Sequence, residues 1–277
     1  MKSIKIKDHS VSKEVFTLEY LSDLHIYKTN PVPSNLGEYY ESEDYISHTD
    51  SKKTFIDKLY QSVKTITLWQ KTKLLFKLSN KKRISVLDFG CGTGDFVKYL
   101  QDQKWNAVGV EPNLNALNLA LAKGINVFSD VNQINNQKFD IITLWHVLEH
   151  VPDYNETIKQ LSSLLNENGK IVIALPNFES YDANYYGNFW AAWDVPRHIW
   201  HFSEKGIKSI MKKLDYSFVK EKAMIFDAFY VSLLSEKYKS KKSNFFTAFK
   251  IGLLSNLKAL KNAHFSSKIY IFSKKSI

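Results

Sequence analysis

The residues of this chain that are best arranged for chemistry form a glycine-rich turn, Gly90-Cys91-Gly92-Thr93-Gly94, directly after the apolar run Ile84 to Phe89. A turn of this kind between a buried strand and a helix lets a ligand approach the backbone closely, and the start of the helix offers free N–H groups. In a dinucleotide-binding turn the sixth position would also be glycine, whereas counting from Gly90 it is Asp95 here. The turn therefore predicts a nucleotide-like ligand and disfavours a nicotinamide dinucleotide.

A carboxylate stands at the end of the next predicted strand. Glu111 closes the run Val108-Gly109-Val110 and is followed by Pro112. A carboxylate in this place can accept charge-assisted hydrogen bonds from both hydroxyls of a ribose. The alternative, an ordinary surface carboxylate, is disfavoured by the position at a strand end before proline. We predict that Glu111 binds the sugar of the ligand.

The aromatic segment Phe189 to Phe202 carries the candidate catalytic groups. His198 and His201 are candidate bases because imidazoles titrate near neutral pH, and Arg197 could hold an anionic acceptor. The tryptophans of the segment could cover a flat or apolar acceptor. The alternative is a structural lid in which the tryptophans pack together and the histidines have no chemical role.

His146, Glu149 and His150 form a further cluster of ionisable side chains. On a helix, His146 and His150 would lie four residues apart on one face and could share one metal ion. Cys91 is the single cysteine, which excludes an intramolecular disulfide and a multi-cysteine zinc site. We predict no bound metal and a structural role for His150.

Four motifs in this order resemble those of class I S-adenosylmethionine-dependent methyltransferases: the glycine turn, Glu111-Pro112, Ser129-Asp130 and the segment Phe139 to Asp153. Within the last, the run His146 to Val151 is similar to a motif of the subgroup that contains the ubiquinone-biosynthesis O-methyltransferases and related bacterial small-molecule enzymes. The resemblance implies that S-adenosyl-L-methionine is the cofactor. It implies donor contacts from the following residues: Asp88, Gly90, Cys91, Gly92, Gly94, Glu111, Pro112, Asp130, Trp145 and His146.

The resemblance leaves two points open. It places the carboxylate of Asp130 near the adenine amino group, although the same residue could merely cap a helix. In the ubiquinone-type relatives the trio that matches His146, Glu149 and His150 is Glu, Glu and His and can hold a divalent cation. Histidine at the first of these positions weakens that expectation for this chain.

Residues 1–60 are predicted to form an irregular N-terminal arm, because they lack long periodic patterns and contain the turn signal Asn30-Pro31-Val32-Pro33. Tyr39, Tyr40 and Tyr45 resemble the part of the arm that closes over the donor in such enzymes. We expect Tyr45 to contact the donor.

The elements that must position these residues are short apolar runs between about residues 84 and 177, which alternate with helix-length segments. Such alternation is typical of crossover units and predicts an α/β fold with a parallel sheet. The resemblance implies a Rossmann-like seven-stranded methyltransferase sheet of order 3-2-1-4-5-7-6, with strand seven antiparallel. The methyltransferase domain is predicted over 61–277, with a helical insert at about 228–265 between the last two strands.

Two helix boundaries are predicted from their caps. Asn168-Gly169 should end the helix that starts at Tyr154 with a left-handed residue. Ser203, with Glu204 behind it, should begin the helix that follows the aromatic segment.

The formal net charge is +10, with 38 Lys and Arg against 28 Asp and Glu. These basic residues are spread along the chain, so we predict no nucleic-acid partner. The stretch 240–262 combines lysines with apolar residues at helical spacing and could lie on an anionic membrane, the alternatives being a cap over the acceptor cleft or a dimer face. No apolar run has the length of a spanning helix and the first residues do not read as a secretory signal, so we expect a cytoplasmic protein.

The combined prediction is an enzyme that transfers a methyl group from S-adenosyl-L-methionine to a small-molecule acceptor. The protein would mainly orient the reactants and deprotonate the acceptor. We expect the acceptor atom to be an oxygen of a quinone-precursor-like, lipid-linked or glycan molecule. Two other functions stay open: a non-catalytic sensor or scaffold that binds the donor, and a nicotinamide-dependent oxidoreductase, which the glycine spacing disfavours.

Overall fold

The computed structural model describes residues 3–40, 55–79, 81, 83–240 and 244–275. The strands are β1 (Ser3–Lys7), β2 (Val15–Leu21), β3 (Ile26–Asn30), β4 (Ser85–Phe89), β5 (Asn106–Val110), β6 (Val127–Phe128), β7 (Phe139–Trp145), β8 (Leu165–Pro176), β9 (Trp200–Phe202), β10 (Tyr216–Ala223) and β11 (Ser267–Lys274). The helices are α1 (Phe55–Ser79), α2 (Asp95–Asp102), α3 (Leu114–Ala122), α4 (Tyr154–Ser163), α5 (Tyr181–Tyr186), α6 (Glu204–Lys213), α7 (Asp227–Ser240) and α8 (Phe245–Asn262).

Seven strands form one large sheet in the order β10-β11-β8-β7-β4-β5-β6. Strand β11 runs antiparallel to both of its neighbours, while β8, β7, β4, β5 and β6 pair in parallel. Numbered within the sheet, this is the predicted order 3-2-1-4-5-7-6 with an antiparallel seventh strand, so the predicted fold class is confirmed. The carboxyl ends of β4, β5 and β7 therefore meet at one edge, where open parallel sheets bind their ligands.

The large sheet is covered on both faces, which explains why its strands are continuous apolar runs. Along β8, Ile171 and Ile173 pack into a core with helices α4 and α6. The alternate residues Val172 and Ala174 pack into a second core with helices α1, α2 and α3. Burial on both sides holds the strand ends, and the turns that leave them, in fixed positions.

The predicted irregular arm was wrong over residues 3–30. Strands β1, β2 and β3 form a second, antiparallel sheet that is completed by β9 from the aromatic segment. Phe16, Leu18 and Ile26 are buried in this region, in alternation with polar residues. The strands are only five to seven residues long, so their alternation is too brief to stand out from irregular sequence.

One of the two predicted helix boundaries was wrong. Helix α4 ends at Ser163, and residues 165–176 already belong to β8. Gly169 is not left-handed; a Cβ there would lie 2.1 Å from the Leu165 side chain, so the site needs glycine for close packing. The other boundary is confirmed, because the Ser203 side chain accepts a hydrogen bond from the Gly206 N–H and caps α6.

The segment between β10 and β11 contains two helices, α7 and α8, as the helical spacing of its apolar residues predicts. They pack against each other and against α5, which follows β8. Among the described residues, none of the helices is both long and apolar enough to cross a bilayer.

The end of the sheet is fixed by a buried ion-pair network, and its removal is our first prediction. Lys268 of β11 is 1% exposed, and its Nζ lies 2.5 Å from a carboxylate oxygen of Glu204 and 2.5 Å from one of Glu221. Lys268→Met removes the ammonium that pairs with these two carboxylates. We therefore expect the free energy of unfolding to fall by about 3 kcal/mol in urea titration. Lys98→Met, which breaks the exposed Lys98–Asp102 pair, should cost under about 1 kcal/mol. Equal losses in the two variants would contradict the prediction.

Candidate active site

The three glycines of the turn after β4 all have left-handed backbone angles, with φ of +73° at Gly90, +56° at Gly92 and +77° at Gly94. A Cβ on Gly90 would lie 2.5 Å from the Val147 side chain, and one on Gly94 would lie 2.2 Å from that of Ile125. A Cβ on Gly92 would meet nothing within 4 Å. Gly90 and Gly94 are therefore required for packing, whereas Gly92 faces open space at the edge of the sheet.

The carboxylate of Glu111 lies against this turn. One of its oxygens accepts a hydrogen bond from the N–H of Gly92 at 2.8 Å, and the other accepts one from the N–H of Asn113 at 2.9 Å. Burial raises the pKa of Glu111, and these two backbone donors oppose that shift. Each oxygen keeps a further lone pair, so the group is fixed in place and can still accept hydrogen bonds from a ligand.

Asp88 and Cys91 support the turn from behind. The buried carboxylate of Asp88 accepts a hydrogen bond from the Thr143 hydroxyl at 2.6 Å, and burial raises its pKa to about 6. The thiol of Cys91 packs on Gly109, where a Cβ would lie 2.6 Å from the sulfur. Burial also raises the pKa of the thiol, so it remains protonated and serves as a packing group.

The remaining predicted donor contacts on this side differ in what the structure shows. Pro112 is exposed beside Glu111. Asp130 is exposed and caps the short 3-10 helix Val131–Gln133, its carboxylate accepting the N–H of Asn132 at 2.7 Å. The carboxylate of Asp130 therefore caps a helix, as the alternative interpretation of this residue expects. Its contact with adenine stays a prediction. Tyr45 lies outside the described residues.

Lys71, which was not predicted as a site residue, reaches the carboxyl end of β7. The ammonium of Lys71, from α1, lies 4.2 Å from the centroid of the Trp145 ring and 5.5 Å from that of Phe96. Burial lowers its pKa, and the charges of Asp88 and Asp227 oppose that shift. Within the described chain, no carboxylate lies at salt-bridge distance from this ammonium, and the indole N–H of Trp145 has no hydrogen-bond partner.

His146 joins the sheet to the helical insert. Its Nδ1 lies 3.3 Å from a carboxylate oxygen of Glu149, and its Nε2 lies 3.0 Å from one of Asp227, the first residue of α7. Burial alone would lower the pKa of His146, but the hydrogen bonds to Asp227 and Glu149 outweigh it and raise the pKa to about 10. An imidazolium thus bridges two carboxylates at neutral pH, which leaves His146 without a lone pair for a metal ion.

Glu149, His150 and His198 form a compact group behind this bridge. Their ligand atoms lie within 4.8 Å of one another, and the second oxygen of Glu149 has no partner among the described residues. The Nδ1 of His150 lies 3.0 Å from the carbonyl oxygen of Arg197, and that of His198 lies 3.0 Å from that of Ala192. A carbonyl can only accept, so each Nδ1 carries the proton and each Nε2 keeps a lone pair.

Both imidazoles of this group are neutral, because burial lowers the pKa of His150 and lowers that of His198 further. The structure therefore groups His198 with Glu149 and His150. The sequence analysis grouped these two residues with His146. Two neutral imidazoles and a carboxylate are a donor set that suits a transition metal. Although this donor set could hold a metal ion, the absence of a bound metal stays a prediction.

The other two predicted catalytic residues are held by the protein itself. The Thr29 hydroxyl donates to the carbonyl of His198 at 2.6 Å, so it must accept at 3.0 Å the N–H of His201 Nε2. Burial lowers the pKa of His201 to about 3. Arg197 pairs with Asp194 at 2.6 Å. This geometry gives His201 and Arg197 positioning roles and supplies no support for them as base and anion holder.

A family model described as a methyltransferase domain matches residues 61–221, more than half of the chain. An uncharacterized protein of Methanocaldococcus jannaschii is 27% identical over 64% of this chain and 75% of its own length. A demethylmenaquinone methyltransferase of Lactobacillus johnsonii is 32% identical over 38% of this chain and 48% of its own. A ubiquinone biosynthesis O-methyltransferase of Coxiella burnetii is 33% identical over 35% and 46%. The matched regions thus span about half the length of these two bacterial enzymes.

Two solved structures share the fold at low identity. The magnesium protoporphyrin IX methyltransferase of Synechocystis PCC 6803, solved with bound S-adenosylmethionine, superposes with a TM-score of 0.55 at 14% identity and covers 89% of this chain and 100% of its own. The plantazolicin methyltransferase BpumL, solved with S-adenosylhomocysteine, has a TM-score of 0.55 at 14% identity and covers 87% and 94%. Together with the glycine turn and the fixed Glu111 carboxylate, these comparisons show that the chain belongs to the methyltransferase domain family and is a class I S-adenosylmethionine-dependent methyltransferase.

Proposed function

We propose that this enzyme methylates an oxygen of a small, largely apolar acceptor, such as a hydroxylated quinone precursor or a similar lipid-linked molecule, with His198 as the base. The single observation that carries the proposal is the neutral His198, which lies in one group with the Glu149 carboxylate and lines a narrow aromatic cleft with it. A glycan is the less suitable acceptor, because aromatic and aliphatic walls offer few hydrogen bonds to its hydroxyls.

The donor part of the proposal rests on how well the residues at the sheet edge fit S-adenosyl-L-methionine. The open space beside Gly92 lets the ligand approach the backbone, and the fixed carboxylate of Glu111 can accept both ribose hydroxyls. When bound, the donor supplies a sulfonium-linked methyl group that is already electrophilic. The protein then has to hold the acceptor in line with that group and remove its proton.

Lys71 completes the donor site in this proposal. Its ammonium lies over the Trp145 ring without a carboxylate at salt-bridge distance among the described residues. The amino-acid end of the donor carries a carboxylate, which would supply the missing counter-ion. The unpartnered N–H of Trp145 lies on the same edge and would donate a second hydrogen bond.

The acceptor part rests on the lining of a narrow cleft behind the edge of the sheet, whose free volume of about 10 Å³ admits about one water molecule, so the cleft would have to widen to admit an acceptor. Its walls combine Glu149 and His198 with apolar and aromatic side chains from β8, the aromatic segment and β9: Pro176, Phe178, Trp190, Trp200 and Phe202. Two of the bacterial relatives are named for methylation in quinone synthesis, which favours an aromatic acceptor. The proposal therefore gives this chain the class of acceptor for which these two relatives are named.

Deprotonation would fall to Nε2 of His198. The carbonyl of Ala192 fixes the proton on Nδ1, so Nε2 keeps a lone pair, and it lies 3.7 Å from a carboxylate oxygen of Asp194. A neutral base that accepts a hydroxyl proton as the methyl group transfers needs no prior ionisation of the acceptor. The resulting imidazolium would be stabilised by the second oxygen of Glu149.

The first prediction from this proposal tests whether Gly92 faces the ligand. Gly92→Ala should weaken binding of S-adenosylhomocysteine at least about tenfold in calorimetric titration, because the new methyl group occupies the space of the ligand. Gly124→Ala is the matched control, since Gly124 also has a positive φ, +68°, and open space around it. Both variants should lose about 1 to 2 kcal/mol of unfolding free energy from backbone strain. Unchanged affinity in Gly92→Ala would refute the assignment.

The second prediction tests Lys71 with two ligands. Lys71→Met should weaken binding of S-adenosylhomocysteine by about ten- to a hundredfold, because a charged hydrogen bond to the ligand carboxylate is lost. Binding of 5′-methylthioadenosine, which lacks the amino-acid end, should not change. Lys73→Met is the control, because Lys73 is exposed and packs on Trp69. An equal loss for both ligands would show that Lys71 acts only on the fold of the site.

The third prediction concerns the base. Because burial lowers the pKa of His198 below 6.5, the neutral form persists below that pH, and methylation rates should show no histidine inflection between pH 6.5 and 8. His198→Asn keeps a side-chain donor for the Ala192 carbonyl and removes Nε2. It should slow single-turnover methylation of catechols and hydroquinones by about a hundredfold or more while S-adenosylhomocysteine binding is retained. Wild-type rates in this variant would contradict the base, and donor binding without turnover of any acceptor would favour a sensor.

A further inference from the structure

Helix α8 presents its large apolar side chains to the outside of the molecule. Phe246 is 86% exposed and Leu260 is 74% exposed, and other large side chains of the helix are about half exposed. These others are Phe245, Phe249, Leu253 and Leu257. An amphipathic helix of a globular protein normally turns such residues toward the core, so this orientation requires an explanation.

The inward face of α8 is built from small residues that fix the orientation. Ala248, Gly252, Ser255 and Ala259 are buried. A Cβ on Gly252 would lie 2.8 Å from the ring of Phe229 in α7, so the two helices are in close contact. The hydroxyl of Ser255 donates to the buried carboxylate of Asp182 in α5 at 2.6 Å. The helix cannot roll to bury its phenylalanines without breaking these contacts.

The exposed apolar residues form one continuous strip. With about 100° between successive residues of an α-helix, those from Phe245 to Leu260 fall within an arc of about 120° and extend for roughly 22 Å. Ile225 is also exposed and widens the strip, because Asn256 of α8 donates to its carbonyl at 2.9 Å. A patch of this size on a single surface is typical of a binding face.

The charged side chains of α8 are all lysines. Residues 245–262 include Lys250, Lys258 and Lys261 and contain no Asp or Glu. All three lysines are exposed, and Lys237 and Lys239 add positive charge at the end of α7. Apolar residues flanked by lysines are the pattern of a helix that lies in the surface of an anionic bilayer.

We propose that α8 docks this enzyme on a bilayer that contains anionic phospholipids. Phe246 and Leu260 would enter the acyl-chain boundary, and Lys250 and Lys261 would lie at the phosphate level. A second copy of the chain is a poorer occupant, because an isologous contact would bring the lysines of both copies together without a carboxylate from either helix.

The docking surface is mechanically connected to the active site. Helix α7, on which α8 packs, begins at Asp227, which is hydrogen-bonded to His146 at the carboxyl end of β7. A bilayer under α8 would also be the source of an apolar acceptor. The inference goes beyond the proposed reaction and does not depend on the identity of the acceptor.

Vesicle co-sedimentation tests this inference on the full chain. We expect binding to vesicles of phosphatidylcholine with phosphatidylglycerol, weaker binding to phosphatidylcholine alone, and weakening by salt. The double variant Phe246→Ser, Leu260→Ser should bind at least about tenfold more weakly. Lys250→Gln with Lys261→Gln should remove much of the preference for the anionic vesicles. Leu121→Ser is the control, because Leu121 is 51% exposed on α3, outside the strip.

Binding of S-adenosylhomocysteine by every variant separates this test from the proposed reaction and shows that each variant is folded. Equal binding to both vesicle types, or no effect of the serine variants, would overturn the proposal. The proposal would also be overturned if the wild-type chain did not bind vesicles and instead formed a dimer in light scattering that the serine variants dissociate.

Discussion

The hydrogen bond from the amide of Gly92 to the carboxylate of Glu111 joins the ends of the first two strands of the large sheet. Its partners come from neighbouring parallel strands, so its geometry depends on the pairing of β4 with β5 and on the burial of both. The glycines on either side of Gly92 make the bond attainable, since each lies where a side chain would collide with Val147 or Ile125. In the proposed function, donor recognition would therefore depend on two strand ends held in register.

A second set of hydrogen bonds connects the large sheet to the segments that surround it. His146 follows β7, and its two carboxylate partners come from the next turn and from the start of the insert. Because both bonds are charge-assisted, the insert is fastened to the same edge that carries the glycine turn. The aromatic segment is held similarly: the Thr29 hydroxyl bonds to the carbonyl of His198 and to the ring of His201, which ties this segment to the small sheet. The catalytic edge is therefore enclosed by segments that are distant in sequence.

The sequence allowed the central part of this arrangement to be predicted, because it depends on local patterns. Buried strands are apolar runs, a ligand-binding turn needs glycine, and Glu111 follows its strand directly. Lys71 could not be found in this way, since one lysine in a long helix has no distinguishing neighbours. Asp227 lies 81 positions beyond His146, and no spacing rule links such a pair. The small sheet was missed because its short strands bury few residues until β9 joins them.

That small sheet has a consequence for how the chain folds. Residues 26–28 of β3 pair with residues 200–202 of β9, so this contact closes a loop that contains most of the large sheet. Contacts of such long sequence separation form slowly, because the entropy of closing the intervening chain must be overcome first. During synthesis, the first thirty residues leave the ribosome well before their partner strand exists. The sheet of β1, β2 and β3 therefore lacks its fourth strand while the donor-binding half is translated, and we expect docking of β3 on β9 to be a late step in folding.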